Sequence, residues 1–329
     1  MAKRGALHPV VVTDPVLNLA VVTAKVLSAT PVTSHAIHGP DRVWTETNCY
    51  VDLWVELLHS LGLDPRAALA FTVGIDFEGD QWTFIKYPLE DLRLLYGLEV
   101  HEYAVWLPLE RHILEQTARG RILIIEVDSW FLPDTHGTAY RQQHVKTSIA
   151  VRSLDPLERR IAYFHGPGAF EADGDDYDGL LRAAQLPPYV EVVRLDRLVH
   201  RGDEESRTLA RTLLAAHLDR RRPNDSMDEY LDHFPSDVAW LRDGGDLDRF
   251  HTYAFATMRQ LGANAELAAT FLSWLGGYQR AATAFGSLAT ATKSAQFKLA
   301  RVAAGRQVDL RETIETLGQT WREAFNGLR

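Results

Sequence analysis

The sequence predicts an α+β protein, with a mixed N-terminal domain over residues 1–200 and an all-helical domain over 201–329. Three observations carry this. Leu53, Trp54, Leu57, Leu58 and Leu61 form an apolar stripe at helical spacing behind Asn48. The runs 121–128, 144–151 and 161–164 read as strands separated by turn residues. From residue 203 the chain is rich in Ala and Leu, has no proline after Pro235, and reads as almost entirely helical.

Residues 1–44 read as irregular or short-strand chain punctuated by Pro9, Pro15, Pro31 and Pro40. Asn48 is a good N-cap, which makes Cys49 the first helical residue, and Gly62 is placed to stop that helix. Asp64-Pro65 starts another as cap and first-turn proline. Alternation of Phe71, Val73 and Ile75, then of Trp82, Phe84 and Ile85, predicts short strands. Pro88 opens a helix that ends at Gly97, and Pro108 opens one that ends before Gly120. The strand 121–128 follows, then a loop, then a strand opening at His144. Asp155-Pro156 turns the chain into a third strand, closed by His165-Gly166-Pro167-Gly168. Residues 172–200 are transitional, with one strand near Val190 to Leu195. In the helical part, Gly244-Gly245 and Gly276-Gly277 read as breaks, and Phe250, Tyr253, Phe271, Trp274 and Tyr278 as core.

Composition narrows the function classes. The chain has 329 residues, 46% of them hydrophobic, which is ordinary for a globular protein. A net charge of −9 argues against a non-specific nucleic-acid binder, which needs a basic face. No run of about 18 apolar residues exists, so no membrane span is expected. The basic start Met1–Gly5 is followed by apolar stretches that Asp14 and Pro15 interrupt, so no signal peptide is expected and the expected location is cytoplasmic. Asp173, Asp175, Asp176 and Asp178 suggest a calcium loop, but Asp178 stands where glycine is required and Ala184 where the closing Glu is required. They read as a solvated acidic loop. His35 and His38 are only a weak metal signal, no nucleotide-binding glycine motif occurs, and no metal site is expected. A single cysteine excludes an internal disulfide and a zinc site built on several thiolates.

That cysteine has two readings. A lone thiol can be a small buried hydrophobe. It can also be a nucleophile, because a helix N-terminus stabilises the thiolate and its N–H groups can hold an oxyanion. Nucleophilic catalysis then needs a histidine base and a group to orient it. His144 opens a strand just after a loop, and Asp128 ends the strand before it. Antiparallel pairing makes the two neighbours, and His165 returns to the same edge. The expectation is Cys49 as nucleophile, His144 as base and Asp128 as orienting acid. Helix cysteine, then strand histidine, with an acid on a neighbouring strand, is the element order of the papain-like cysteine fold.

The segments Thr47-Asn48-Cys49-Tyr50, Glu126 to Thr135, Tyr140 to Thr147 and Tyr163-Phe164-His165 resemble domain-of-unknown-function family 1839, over most of the chain. The stretch from Asp128 to Pro133 followed by His144 is also similar to the N-terminal domain of butirosin-type acyltransferases. Those are papain-like enzymes that move an aminoacyl unit from a carrier-protein thioester to an amine. C39-type peptidases are more distantly similar. In those relatives an Asp ends the strand after the histidine strand; here His165 stands there, which favours Asp128 as the third member. The resemblance implies acyl transfer through a thioester on Cys49 to a small amine or hydroxyl in biosynthesis. No resident cofactor is implied; the donor carries a phosphopantetheine arm or is an aminoacyl-tRNA. The Cys49 N–H with Asn48 or Glu46 would form the oxyanion site. Glu46 suits a donor α-amino group better, Lys146 a phosphate or carboxylate, and Tyr140 and His165 complete the substrate-binding set.

Residues 280–311 carry six basic residues against Asp309, a local excess of +5. Arg280, Lys293, Lys298 and Arg301 could form a docking face for an acidic carrier protein or for the acceptor end of a tRNA. The plainer reading is a solvated helix face. A cysteine peptidase or amidase, and a non-catalytic docking module, remain as alternative functions.

Overall fold

Asn48 begins the central helix, α1 (Cys49–Ser60). Its side-chain oxygen accepts from the Val51 N–H at 2.9 Å, and its amide nitrogen donates to Ile85 O at 2.8 Å. Leu53, Trp54, Leu57 and Leu58 of the stripe read from the sequence are fully buried, and the rest of the helix from Tyr50 to Leu58 is buried as well. The computed structural model describes residues 24–25, 33–183, 186–222, 225–244 and 246–328. Most of the proline-punctuated segment expected ahead of α1 lies outside the described residues.

Asp64 caps a ten-residue 3-10 helix, Pro65–Gly74, by accepting from the Arg66 N–H at 3.0 Å. This corrects the expected strand at Phe71 to Ile75. The cap and first-turn proline commit the chain to helical turns before the alternation can act. Only an isolated bridge, Phe77 to Trp82, remains of the predicted strand pair. Helices α2 (Leu89–Tyr96) and α3 (Leu109–Ala118) follow their prolines as expected. Gly97 ends α2 at φ 70°, where a Cβ would stand 1.9 Å from Arg197 O, so only glycine fits.

The strands are β1 (Ala24–Lys25), β2 (Glu99–Glu102), β3 (Ile122–Asp128), β4 (Lys146–Asp155), β5 (Arg160–His165), β6 (Gly168–Asp173) and β7 (Val190–Arg194). They form one antiparallel sheet in the order β2-β7-β3-β4-β5-β6, with β1 beside β4. Sequence reading missed β2 and β6. The His165–Gly168 stretch closes the third strand as expected, and the turn in it leads as a hairpin into β6. The acidic stretch is not a loop: it is mostly helix α4 (Gly174–Leu181), whose early carboxylates favour its N-terminus.

Strand alternation divides the sheet into two faces. Ile122, Ile124, Ala150, Phe164 and Val193 join the core that includes α1. Leu123, Ile125, Val127, Ile149 and Tyr163 join a second core with α3 and α4. Glu126 and Asp128 share parity with Ile122 and Ile124, and Ser148 and Lys146 lie opposite them in register. These four therefore fall on the α1 face, at one end of the sheet.

The C-terminal part is helical as expected: α5 (Asp203–Asp219), α6 (Ser226–Gly244), α7 (Leu247–Ala254), a π-helical turn at Phe255–Arg259, α8 (Gln260–Leu275), α9 (Gln279–Ala303) and α10 (Arg311–Asn326). Phe250, Phe271 and Trp274 are buried, and Tyr253 and Tyr278 pack against the same core. That core is continuous with the one under α1, so the boundary near residue 200 does not separate two cores. Polar contacts join the halves as well. Gln260 Oε1 accepts from Ile85 N–H at 2.9 Å, and Glu266 accepts from the Val43 and Trp44 N–H groups at 2.9 and 2.8 Å.

Candidate active site

His144 lies in the loop two residues ahead of β4 rather than within the strand. Its Nδ1 is 2.5 Å from Asp128 Oδ2. The other carboxylate oxygen accepts from the Trp130 N–H at 3.0 Å, so Asp128 also caps the turn that carries Trp130. The Trp130 indole stacks flat on the His144 ring, with centroids 4.5 Å apart and planes within 7°. The imidazole is thus held by a carboxylate at one nitrogen and by an aromatic face. Its side chain remains 67% exposed, with Nε2 free of protein partners among the described residues. Trp130 was missed from the sequence; its signal is its place two residues after Asp128, within the loop leading to His144.

Cys49 is the first residue of α1 and is partly buried. Among the described residues its thiol makes no hydrogen bond, to His144 or to any other group. Helix α1 packs on β4 and β5, on the sheet face that carries Asp128. Tyr50, the next residue, donates its hydroxyl to Glu191 Oε2 at 2.7 Å. Burial, and then the Glu191 charge, push the Tyr50 hydroxyl well above its usual range. Glu191 pairs in register with Ile124, one step inward from Glu126 and two from Asp128 along the same face. Lys86 stands above the Tyr50 ring at 4.5 Å and 3.5 Å from Glu191. Tyr50, Lys86, Glu191, Glu126, Lys146, Asp128 and His144 make one polar strip, which starts at the residue after Cys49. Lys86 and Glu191 escaped sequence reading because neither sits in a local pattern.

The other predicted residues divide. Lys146 is on the strip, paired with Glu126 at 2.8 Å. Glu46 is mostly exposed and pairs with Arg259 of the π-helical turn at 3.6 Å. Asn48 is 4% exposed and serves as cap and tether, so its amide already holds Ile85 O. Tyr140 donates to Asp176 Oδ2 at 2.8 Å, on α4. His165 is the correction. It reaches the expected sheet edge but on the opposite face, because Phe164 already occupies the α1 face. There His165 Nδ1 meets Asp134 Oδ2 at 2.5 Å and Nε2 meets the Thr147 hydroxyl at 2.8 Å. Asp134 also accepts from Tyr163 at 2.6 Å, and Thr147 is buried, so this set braces the second core. His165 does not join the strip that contains Asp128 and His144.

Residues 33–195 match the description DUF1839 N-terminal domain, and residues 203–329 match DUF1839 C-terminal domain. The chain belongs to the DUF1839 family. A search of curated proteins finds no match.

In this DUF1839 chain three of the four proposed docking cations share one side of α9. Arg280, Lys298 and Arg301 point within about 60° of one another, with Arg280 and Lys298 18 residues or about 27 Å apart, whereas Lys293 points about 140° away from Lys298. Lys298 donates to Thr313 of α10 at 2.8 Å. Lys293 lies over the Trp44 ring at 4.2 Å; burial, and then the Arg259 charge, lower its pKa. Of the four, Lys293 alone is near Glu46 and Arg259. A hollow of about 590 Å³ between Val43, Arg66, Thr270, Ser273 and Trp274 is lined by neither Cys49 nor His144. Among the described residues no group of three His, Cys, Asp or Glu side chains could hold a metal, and no helix is long and apolar enough to cross a membrane.

Proposed function

We propose that this protein is a cysteine-dependent aminoacyltransferase of papain-like design, taking an activated amino acid from a carrier-protein thioester. The observation that supports it is the Asp128–His144 pair on the sheet face where α1 begins with the chain's single cysteine. A carboxylate at Nδ1 fixes the ring so that Nε2 serves as the base. In the first step His144 takes the Cys49 proton, and the thiolate attacks the donor carbonyl. The bond to the donor sulfur breaks, and that sulfur leaves with the proton from His144. In the second step the acceptor amine gives its proton to His144 as it attacks the Cys49 thioester. The amide forms, and the thiol is restored. The Cys49 and Tyr50 backbone N–H groups, unpartnered among the described residues, face outward from the first turn and suit the oxyanion.

The test is intact-mass spectrometry after mixing the protein with an aminoacyl-loaded carrier protein. A mass gain of one aminoacyl unit, absent in Cys49→Ala and discharged by added amine, is expected. A gain that needs RNase-sensitive donor points to aminoacyl-tRNA instead. Discharge by water with no acceleration by amines would replace transfer with hydrolysis, and no adduct from any activated donor would end the proposal.

A further inference from the structure

Cys49, Asp52 and Glu56 lie at positions i, i+3 and i+7 of α1, on one stripe of that helix. The stripe faces the segment ahead of the helix. His38, held in a short 3-10 turn (Ala36–His38), bridges the two carboxylates. Its Nδ1 is 2.5 Å from Glu56 Oε1 and its Nε2 is 3.3 Å from Asp52 Oδ1. All three side chains are nearly inaccessible, at 4%, 3% and 0% exposure. An ionised carboxylate can only accept, so a ring bonded to one at each nitrogen must donate from both. His38 is therefore an imidazolium. The remaining acceptors are organised too: Asp52 Oδ2 takes the Thr47 N–H at 3.0 Å, and Glu56 Oε1 takes the His35 N–H at 2.9 Å. Glu56 Oε2 is buried without a partner. One cation and two anions leave a net charge of −1 under the first turn of α1.

We infer that His38, clamped between Asp52 and Glu56, is a positioning residue for Cys49: it fixes the first turns of α1 and sets the charge beneath the thiol. This rests on the reading of Cys49 as the nucleophile. The clamp has three consequences on one helix face. It ties residues 35–47, including the Thr47 that leads into the cap, to α1. It offsets two buried carboxylates that would otherwise oppose a thiolate one turn away. It keeps a neutral histidine out of that space. Burial pushes the His38 ring down, but the carboxylates outweigh it and raise it to about 9. The cation thus persists wherever Cys49 would work.

Other charged groups surround this region, each with its own partner. From the elements packed on α1, Glu46 pairs with Arg259, Glu191 with Lys86, and Glu126 with Lys146. On the far side of the clamp His35 packs edge-on against His59 at 5.1 Å. Asp128 and His144 complete the set at the sheet end. Of these, His35 touches the clamp, through its N–H on Glu56 Oε1; the ion pairs named here contain no clamp residue.

The experiment is the rate of Cys49 alkylation by iodoacetamide across pH 5–10 on the full chain; with a single cysteine, the reaction reports that thiol alone. His38→Gln takes the cluster from −1 to −2 and is expected to raise the titration midpoint, slowing alkylation at neutral pH about two- to fivefold. Glu56→Gln takes it from −1 to 0, with Asp52 still holding the imidazolium, and is expected to lower the midpoint and speed alkylation by a similar factor. Opposite shifts identify an electrostatic role that a merely structural one would not produce. Shifts in the same direction, or unchanged midpoints in variants that melt cooperatively, overturn the inference. Should His38→Gln fail to fold, Glu56→Gln and Asp52→Asn decide it: both midpoints must fall. The readout involves no acyl donor, so opposite shifts in a protein that forms no acyl adduct would retire the transferase and keep the clamp.

Discussion

Tyr50 and Glu191 meet at 2.7 Å, joining the residue that follows Cys49 to the centre of the sheet. Glu191 is 1% exposed, and its second oxygen takes the Tyr189 hydroxyl at 2.9 Å. Tyr50→Phe deletes one donor from a buried carboxylate without opening a cavity. The expected cost is about 1–3 kcal/mol, read from urea unfolding. Tyr189→Phe, at the more exposed of the two tyrosines, is expected to cost less than Tyr50→Phe.

Asp128→Asn keeps the shape of the pair with His144 but removes its charge and favours the wrong ring tautomer. Acyl transfer is expected to fall by about 10²–10⁴-fold. Both side chains are substantially exposed, so the melting temperature should barely move. A variant that keeps full transfer rate would remove Asp128 from the mechanism.

Stability should depend on pH through two histidines with opposite signs. The folded state raises His38 from 6.5 to about 9, so its contribution is fully present below pH 6.5 and is lost as pH rises through about 9. The stability gap between the wild type and His38→Gln is expected to shrink by up to about 3 kcal/mol over that window. Burial, and then His59, lower His35 from 6.5 to about 4, so its contribution is present above 6.5 and is lost as pH falls toward 4. His35→Gln should flatten the acid limb alone, measured by thermal unfolding from pH 4 to 10.

Gly262 of α8 lies against Trp44, where a Cβ would come within 2.3 Å of the indole. Trp44 is 2% exposed and its Nε1–H donates to Ala289 O at 3.0 Å, so the ring has no room to move. Gly262→Ala is expected to cost about 1–3 kcal/mol by overpacking. Calorimetry on the variant checks it, with Gly286→Ala, where a Cβ meets nothing within 4 Å, as the control.

The parts legible in the sequence were those set by neighbours along the chain. Asn48 announced its own helix, and Cys49 took the first position by counting. Asp128 and His144 could be paired because the strands they bound are consecutive and antiparallel. His165 failed for a different reason. Its edge followed from strand order, but its face depended on the register of Phe164 against Ala150 and on the irregularity between Val151 and Ser153. The His38 clamp was invisible because its carboxylates look like ordinary polar positions on α1. Nothing local says that a turn 14 residues upstream will fold back over Asp52. Asn48 was read as part of the oxyanion site; its amide instead donates to Ile85 O, a contact made through a loop that the C-terminal helices hold.

That loop carries a consequence for the whole chain. The N–H of Ile85 is held by Gln260, the N–H groups of Val43 and Trp44 by Glu266, and the carbonyl of Thr72 by Asn264. Segments flanking the single thiol are therefore finished by donors and acceptors that arrive only when α8 is made. A chain released before that point would display uncapped backbone and an open apolar wall. The two regions share one core and these bonds, so the second half is expected to act as a template for the first. Synthesised apart, they would be expected to recover a native-like thiol environment only when mixed.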